Sequence, residues 1–471
     1  MYGQHVFPQG FVFGGATAAY QVEGATHAYG KGLVAWDEHL AQQGRFSADP
    51  ASDFYNRYEE DLELCERFGI NGLRISIAWT RIFPTGIGEV NKEGVEFYHR
   101  LFQACRAHHV EPYVTLHHFD SPLEMYRAGD FLNRDVIDAF EAYARFCFEE
   151  YKDEVTYWFT FNEIATNALC RFIEGSWPMG EKYRIDKALQ CEHNMMVAHA
   201  RAVIAYKQGG YAGEIGIVHC LHIKYPYDPN SREDIIAASR DDVIKNRLLL
   251  DATFRGSYAA DTREIMDYLA GLSGGKLDIR AEDIELLTKA ADLNDCMGVN
   301  YYRSQFVRAY DGENDIHSNS TGDKGSSRYA LKGVGEYRMR EGLKTTDWDW
   351  IIYPEGLYDL LMHIKLAYPN YKKLYITENG MGYKDTFENG IIDDEPRIDY
   401  IRQHLDWTLR AVEGGVNVMG YFVWSLQDQF SWTNGYNKRY GLFYVDFETQ
   451  ERYPKASAYW FEQLSRTGHL L

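Results

Sequence analysis

Short apolar segments recur along this chain of 471 residues, separated by longer stretches with helical periodicity. They are rich in Val, Ile, Tyr and Phe, which is typical of β-strands. The predicted strands are Phe11–Gly15, Gly72–Trp79, Glu111–Phe119, Tyr157–Asn162, Glu214–His222, Cys296–Tyr302, Lys373–Thr377 and Val418–Ser425. Strands that alternate with helices indicate parallel βαβ units, and eight such units predict a closed barrel. We therefore expect an α/β fold, a single (β/α)8 TIM barrel, with residues 1–471 forming one domain.

The segments between the strands support this prediction. Asp135–Tyr151, Ile185–Gly209 and Asp241–Tyr258 carry apolar residues at helical spacing. An open, doubly wound sheet is the alternative, but the sequence lacks the early G-x-G-x-x-G turn that usually marks it. Asp311–Glu341 is polar and glycine-rich, which predicts a long loop after the sixth strand. Such a loop would lie over the active-site face of a barrel or form a surface insertion without a role.

Charge and cysteine content limit the partners. A net charge of −20 opposes binding to nucleic acid or to an anionic membrane. Binding of a small anionic ligand remains possible, because salt screens distant charges and a few local cations can dominate the potential in a cleft. The seven cysteines include no C-x-x-C pair, so we expect reduced, buried thiols in a cytoplasmic protein. No signal peptide or membrane span is evident, and protein partners are left open.

Two glutamates lie where predicted strands end. Thr160-Phe-Asn-Glu163 ends the fourth strand and Ile376-Thr-Glu-Asn379 ends the seventh, so each glutamate has an asparagine neighbour. The carboxyl ends of parallel strands in a barrel all open on the same face, so the two glutamates are expected to lie on that face. Two carboxylates there can cleave a glycoside, and retention requires them to be about 5–5.5 Å apart. One such glutamate could simply cap a helix or pair with an arginine, whereas two favour catalysis.

These motifs resemble glycoside hydrolase family 1. Phe13–Gly24 resembles its N-terminal motif, Arg74–Pro84 its second strand, and Thr160–Glu163 and Ile376–Gly380 its two signatures. The matches follow the family's order from residue 11 to beyond residue 450. The resemblance implies a (β/α)8 barrel, a double-displacement mechanism, no cofactor and no metal.

The resemblance also implies roles for single residues. Glu163 matches the acid/base and Glu378 the nucleophile. The residues that match those holding the sugar hydroxyls are Gln21, His118, Asn162 and Trp424. Asn300 is expected to face the site, the Tyr302 hydroxyl to reach Glu378, and Arg74 to lie near Glu378 and keep it ionised. Glu163 needs a raised pKa to hold its proton.

One departure from the family lies at the third strand. Phe119 follows His118, where the family usually has tryptophan, so His117 and His118 are adjacent. Adjacent histidines could suggest a metal site, but successive strand residues point to opposite faces. We expect His118 to point into the barrel, His117 to pack among loops, and no metal to bind.

A second departure follows the eighth strand. Many family members carry a Glu-Trp pair whose glutamate binds the O4 and O6 hydroxyls of the sugar, and here Ser431 stands in place of the glutamate. With Lys438 and Tyr440 nearby, the change favours an anion. A phosphate carries about −1.5 to −2 charges, and a lysine attracts each charge by roughly 4 kcal/mol at about 4 Å and an effective dielectric near 20. The alternative is that Lys438-Arg439 is a solvated loop.

The pattern resembles the family members that act on 6-phospho-β-glycosides, and Trp432 is similar to those selecting the galacto epimer, whose O4 is axial. The likeness extends through Lys224–Pro229, Thr346–Pro354 and Tyr440–Asp446, and Trp350 matches the family's aglycone platform. The implied substrate is a phosphorylated disaccharide, lactose 6-phosphate, cleaved to D-galactose 6-phosphate and glucose. A 6-phospho-β-glucosidase, a non-catalytic sugar-phosphate binding protein and a barrel isomerase or aldolase are the alternatives.

Overall fold

Eight parallel β-strands close into a barrel in this computed structural model, which describes residues 5–388 and 390–470. They are β1 (Val12–Ala16), β2 (Gly72–Ser76), β3 (Glu111–His117), β4 (Tyr157–Asn162), β5 (Glu214–Cys220), β6 (Cys296–Asn300), β7 (Leu374–Asn379) and β8 (Val418–Trp424). Successive strands pair in chain order, and β1 closes the barrel on β8 with Val12 opposite Gly420. The predicted (β/α)8 barrel is confirmed, and each predicted strand overlaps an observed one.

Helices connect the strands. The α-helices are Ala19–Val22, Ala35–Gln43, Phe54–Arg67, Trp79–Ile82, Lys92–Ala107, Leu123–Arg127, Asp135–Glu150, Ile164–Phe172, Ile185–Gly209, Arg232–Asp242, Leu248–Leu250, Ala260–Leu272, Ala281–Ala291, Glu355–Ala367, Glu395–Glu413 and Ala456–Thr467. Asp130–Leu132 forms a 3₁₀ turn. The predicted helix at Asp241–Tyr258 begins earlier, at Arg232, because the Ser231 hydroxyl caps it by accepting from the Asp234 N–H. Its continuation includes two π-helical segments, Val243–Arg247 and Asp251–Arg255.

The prediction of a long loop at Asp311–Glu341 is wrong, because this segment contains three short strands. They are Asp315–His317, Arg328–Leu331 and Gly335–Tyr337, and they join Lys224–Pro226 and Gln305–Arg308 in a five-stranded sheet. A hairpin turn with Gly333 at φ +74° connects two of them, and Tyr329 stacks on Tyr337 across it at 4.1 Å. Strands of three or four residues are too short to show alternation in sequence. A separate pair of strands, Phe443–Val445 and Arg452–Pro454, follows β8.

The interior of the barrel has an aromatic part and, at the carboxyl ends of the strands, a polar part. Aromatic rings fill the lower part: Tyr113 stacks on Tyr157 at 4.4 Å and meets Phe422 edge-on at 4.8 Å. The larger apolar core lies between the barrel and its helices. Polar side chains are therefore concentrated at the carboxyl ends of the strands, where a TIM barrel places its active site.

The state of the cysteines and the character of the helices can be compared with the predictions from the sequence. All seven cysteines are free thiols, six of them buried and Cys170 half-buried, as predicted. None of the helices in the described ranges is long and apolar enough to cross a membrane.

Candidate active site

The carboxyl ends of β4 and β7 bring two buried glutamates to one face of the barrel. Glu163 follows β4 with a left-handed backbone, φ 47°, and precedes the helix Ile164–Phe172. Glu378 lies in β7, where Ile376 pairs with Val299 but Glu378 pairs with Asn300, the next residue of β6. This bulge adds one residue to β7, so that Thr377 and Glu378 both reach groups of the site. Glu163 is 6% exposed and Glu378 is 3% exposed.

Glu378 accepts from a cation and from a phenol. The Arg74 guanidinium on β2 donates to Oε1, and the Tyr302 hydroxyl donates to Oε2 at 2.6 Å. Arg74 is held by Thr115 Oγ1 at 3.1 Å and by Asn162 Oδ1 at 2.7 Å. Arg74 and Tyr302 therefore both contact Glu378, the residue near which the sequence analysis expected them.

Glu163 accepts from a neutral amide. Asn300 Nδ2 donates to Glu163 Oε1 at 2.7 Å and to Asn162 Oδ1 at 3.0 Å. Thr377 orients this amide by donating to Asn300 Oδ1 at 2.7 Å. A continuous chain of hydrogen bonds therefore links the two glutamates through Asn300, Asn162 and Arg74. Sequence reasoning missed Thr115 and Thr377, although both lie on strands beside predicted site residues.

The electrostatics of the two carboxyls are asymmetric. Burial raises the pKa of Glu378 to about 7, where Arg74 opposes the rise, Glu163 adds to it and Tyr302 opposes it. Burial also raises the pKa of Glu163, against the Asn300 hydrogen bond. The charge of Glu163 is one cause of the raised pKa of Glu378, so the ionisation of the two carboxyls is coupled. A charged donor and a phenol stabilise ionised Glu378, whereas a neutral amide donates to Glu163, so the surroundings favour the charged form of Glu378 more strongly.

Residues that follow β1 and β3, together with Trp424 at the end of β8, form a polar pocket beside this pair. The Gln21 amide donates to the Phe430 carbonyl at 2.6 Å, while Gln21 Oε1 is buried without a partner among the described residues. His118 contacts Asn162 at 3.1 Å and stacks on Trp424 at 5.8 Å. Buried polar atoms without partners are available to hydroxyl groups of a ligand.

His117 lies on the opposite side of β3 from His118. Its ring contacts the Ser121 hydroxyl at 3.0 Å and packs against Phe131 and Phe161. The two imidazoles therefore face different surroundings, as alternation predicts. Within residues 5–388 and 390–470, no group of three or more His, Cys, Asp or Glu is arranged to hold a metal ion.

The loop after β8 begins with a tight turn. Ser431 and Gly435 exchange two backbone hydrogen bonds of 2.8 Å each. Gly435 has φ +63°, and a Cβ there would lie 2.3 Å from the Phe46 ring, so the turn requires glycine. The Ser431 hydroxyl is half-buried, and among the described residues its side chain receives only a long contact of 3.4 Å from Asn434.

Trp432 belongs to an aromatic cluster. Its ring stacks on Tyr20 at 5.6 Å with an interplanar angle of 2° and lies 4.7 Å from Trp36. It is also 6.5 Å from the His118 ring, which connects the cluster to the polar pocket. The position fits a side chain that shapes one wall of a sugar site.

Lys438 and Tyr440 lie at the far end of this loop. The Lys438 ammonium lies 3.7 Å from the centre of the Trp350 ring, and the side chain is 4% exposed. Burial, followed by the charge of Arg303, lowers the pKa of Lys438 well below its ordinary value. Tyr440 is buried with its ring 6.5 Å from that of Tyr302, so it connects Lys438 to the surroundings of Glu378. Ser431 does not hydrogen-bond to Lys438 or Tyr440.

A cavity of about 560 Å³ adjoins the glutamate pair. Thr166, Cys220 and Trp350 line its inner side, and the sheet that contains Arg328–Leu331 lines its outer side. The two glutamates themselves are outside its lining. Arg303 also lines it, and sequence reasoning missed this residue because its position directly after the Tyr301-Tyr302 pair carries no motif.

Comparison with known families settles the relationship that the motifs suggested. The family described as Glycosyl hydrolase family 1 matches residues 3–469 of this chain. The chain belongs to glycosyl hydrolase family 1. This is a family of retaining glycosidases, and a pair of carboxyls with different hydrogen-bond partners can support that chemistry.

Relatives within glycosyl hydrolase family 1 cover nearly the whole chain. A protein named 6-phospho-beta-galactosidase from Leptotrichia buccalis is 58% identical over 460 residues, which is 98% of each chain. A protein of the same name from Staphylococcus aureus strain JH9 is 57% identical over 465 residues, 98% of this chain and 99% of its own. Among solved structures, a family 1 b-glucosidase from Thermotoga maritima superposes with a TM-score of 0.88 at 33% identity over 100% of both chains.

Proposed function

We propose that the protein hydrolyses 6-phospho-β-D-galactosides with retention, converting lactose 6-phosphate to D-galactose 6-phosphate and glucose. One observation carries the choice of a phosphorylated substrate: Lys438 is a buried cation beside the catalytic pair with no carboxylate partner among the described residues. A buried ammonium without a counter-ion is costly, so the site is expected to receive an anion. The names of the relatives with 57% and 58% identity support the same substrate class.

In the proposed reaction the Glu378 carboxylate attacks the anomeric carbon while Glu163 donates its proton to the departing glycosidic oxygen. The products of this step are an ester between the sugar and Glu378 and a free alcohol. Glu163, now ionised, takes a proton from a water molecule, whose oxygen attacks the anomeric carbon and releases Glu378. Two inversions give net retention, and both glutamates return to their starting protonation states.

The pocket around the sugar provides the rest of the proposal. Gln21, His118, Asn162, Asn300 and Trp424 surround the position of the glycone hydroxyls. The residues proposed for the phosphate are Ser431, Lys438 and Tyr440, with Trp432 beside the axial O4 of galactose and Trp350 as platform for the leaving sugar. The protein's net charge of −20 makes these local groups necessary, because the whole molecule repels a dianion.

The test is a comparison of kcat/KM for four 4-nitrophenyl glycosides, galacto and gluco, each with and without the 6-phosphate. We expect the 6-phosphogalactoside to be the best substrate and Lys438→Met to remove most of the advantage of the phosphate. Equal rates with and without phosphate in the wild type would refute the proposal. A higher rate on the 6-phosphoglucoside would instead make the protein a 6-phospho-β-glucosidase.

Epimer selection has a separate test at Trp432. Trp432→Ala removes the wall that stacks on Tyr20, so the ratio of galacto to gluco activity among phosphorylated substrates should fall. Trp407→Ala is a matched control, because Trp407 is a ring on the outer helix Glu395–Glu413 that packs on Tyr358 at 5.5 Å. If the ratio is unchanged in Trp432→Ala, this residue does not select the epimer.

A further inference from the structure

Two cations share one indole ring at the edge of the active site. The Lys438 ammonium lies 3.7 Å and the Arg303 guanidinium carbon 4.9 Å from the centre of the Trp350 ring. Neither side chain forms an ion pair or a hydrogen bond with any residue in the ranges 5–388 and 390–470. Like charges that face one aromatic group without a counter-ion repel each other, and burial strengthens this repulsion.

The aromatic surroundings do not remove this repulsion. Trp348 and Tyr440 also face the Lys438 ammonium, at 5.1 Å and 5.3 Å. A ring face stabilises a cation but leaves its charge in place. An aromatic cage for one lysine does not explain why a second cation lies against the same ring.

Other cations near the cavity are neutralised, which sets these two apart. Lys245 contacts Asp241 at 3.0 Å, and Arg328 contacts Glu336 at 3.0 Å. Arg303, in contrast, lines the cavity with five N–H groups, and none of them has an acceptor in the part of the chain that the structure describes.

We propose that Arg303 is the second cation of the phosphate site, so that Arg303 and Lys438 together bind the dianionic 6-phosphate of the substrate. This inference rests on the proposed function. A phosphate carries about −1.5 to −2 charges at neutral pH, and Lys438 alone supplies one positive charge. Arg303 supplies the other, and its planar fork matches two phosphate oxygens. The field of Arg303 on Lys438 supports their proximity, since after burial it is the other cause that lowers the pKa of Lys438.

The test compares Arg303→Met, Arg303→Lys and Lys438→Met on 4-nitrophenyl β-D-galactoside with and without the 6-phosphate. Arg303→Met should lower kcat/KM for the phosphorylated substrate roughly 10- to 100-fold, the range for losing a hydrogen bond to a charged group, and leave the unphosphorylated substrate nearly unchanged. Arg303→Lys should recover part of the loss. The inhibition constant of D-galactose 6-phosphate should rise in parallel in Arg303→Met, while that of D-galactose stays the same.

A pH measurement separates binding from a structural role. Lys438 must be protonated to bind phosphate, so affinity for D-galactose 6-phosphate is lost as the pH rises through its pKa. Removing the Arg303 charge raises that pKa, so in Arg303→Met this loss should move to higher pH. A variant that was merely misfolded would not shift this limb. Arg410→Met is the control, because Arg410 lies 4.4 Å from the Trp407 ring on an outer helix.

The outcomes distinguish this inference from the proposed function. If Lys438→Met abolishes the preference for phosphate but Arg303→Met does not, the inference about Arg303 is wrong and the proposed function stands. If Arg303→Met weakens both substrates equally, Arg303 acts on the leaving group or on Trp350, which also overturns the inference. If the wild type shows no preference for phosphate, both proposals fail.

Discussion

The hydrogen bond from Tyr302 to Glu378 makes a quantitative prediction about pH dependence. In Tyr302→Phe the phenol that donates to Glu378 Oε2 at 2.6 Å is lost, while the ring that packs against Trp350 remains. Both groups are buried, so water does not replace the lost donor. A hydrogen bond to a charged group contributes about 1.5–3 kcal/mol, and one pKa unit corresponds to about 1.36 kcal/mol. The pKa of Glu378 should therefore rise by roughly 1–2 units.

The sign of the effect on activity follows from the role of each carboxyl. Glu378 must be ionised to attack, so kcat/KM falls as the pH drops through its pKa, which burial already raises to about 7. A further rise moves the acid limb of the profile to higher pH. The alkaline limb reports loss of the proton from Glu163 and should stay in place. At pH 7 the ionised fraction of Glu378 should therefore fall from about one half to roughly 0.1–0.01, so the variant should be about 5- to 50-fold slower, and it should recover partly as the pH increases.

The measurement is kcat/KM for 4-nitrophenyl β-D-galactoside 6-phosphate across the acid and alkaline limbs. The phosphate itself titrates near a pKa of about 6, so the profile is compared with a control on the same substrate. Tyr211→Phe provides it, because Tyr211 also donates to a glutamate, Glu149, but at the surface at 2.9 Å. An acid limb that coincides in Tyr302→Phe and Tyr211→Phe would contradict the assignment of Glu378 as the ionised nucleophile.

Three further changes test the other parts of the site. Glu378→Gly should abolish turnover, and azide should restore part of it with an inverted glycosyl azide as product; activity without azide would refute the nucleophile. Glu163→Ala should slow lactose 6-phosphate far more than the 4-nitrophenyl substrate, since the better leaving group needs less protonation; equal losses would refute the acid. Arg439→Met should lower the free energy of unfolding by about 1–3 kcal/mol through its lost hydrogen bond to Asp428, whereas the exposed Arg402→Met should change it by about 0–1 kcal/mol, both measured by urea unfolding.

The barrel and the glutamate pair were predictable because their signals are local. A strand that ends in Asn162-Glu163 or Glu378-Asn379 places its carboxylate at the active-site face wherever a parallel barrel forms. The contact of Tyr302 with Glu378 was expected only from the resemblance to the family. The bulge at Thr377 was not predictable, because it depends on how β7 pairs with β6 rather than on either sequence alone.

The roles of Arg303 and Arg439 could not be predicted from the sequence, because they depend on residues that other segments supply. Arg303 directly follows a strand-end motif, but its meaning depends on Trp350 and Lys438, which other loops supply. From the sequence, Lys438-Arg439 could belong to an anion site or to a solvated loop. In the structure the two side chains have different partners. Lys438 packs on Trp350, whereas Arg439 donates to Asp428 at 2.6 Å and to the Val445 carbonyl at 2.8 Å.

This separation suggests how the loop after β8 fixes its substrate. Asp428 precedes the turn at Ser431 and accepts from Arg439 near the end of the same loop, so one ion pair closes the loop at its base. Lys455 donates to both Asp428, at 2.7 Å, and Asp385, at 2.6 Å, and so ties this base to the segment that follows β7. Buried pairs of this kind define position more than they add stability. In the proposed function, the strand ends therefore supply the reacting groups, and a separately anchored loop supplies the residues that recognise the 6-phosphate.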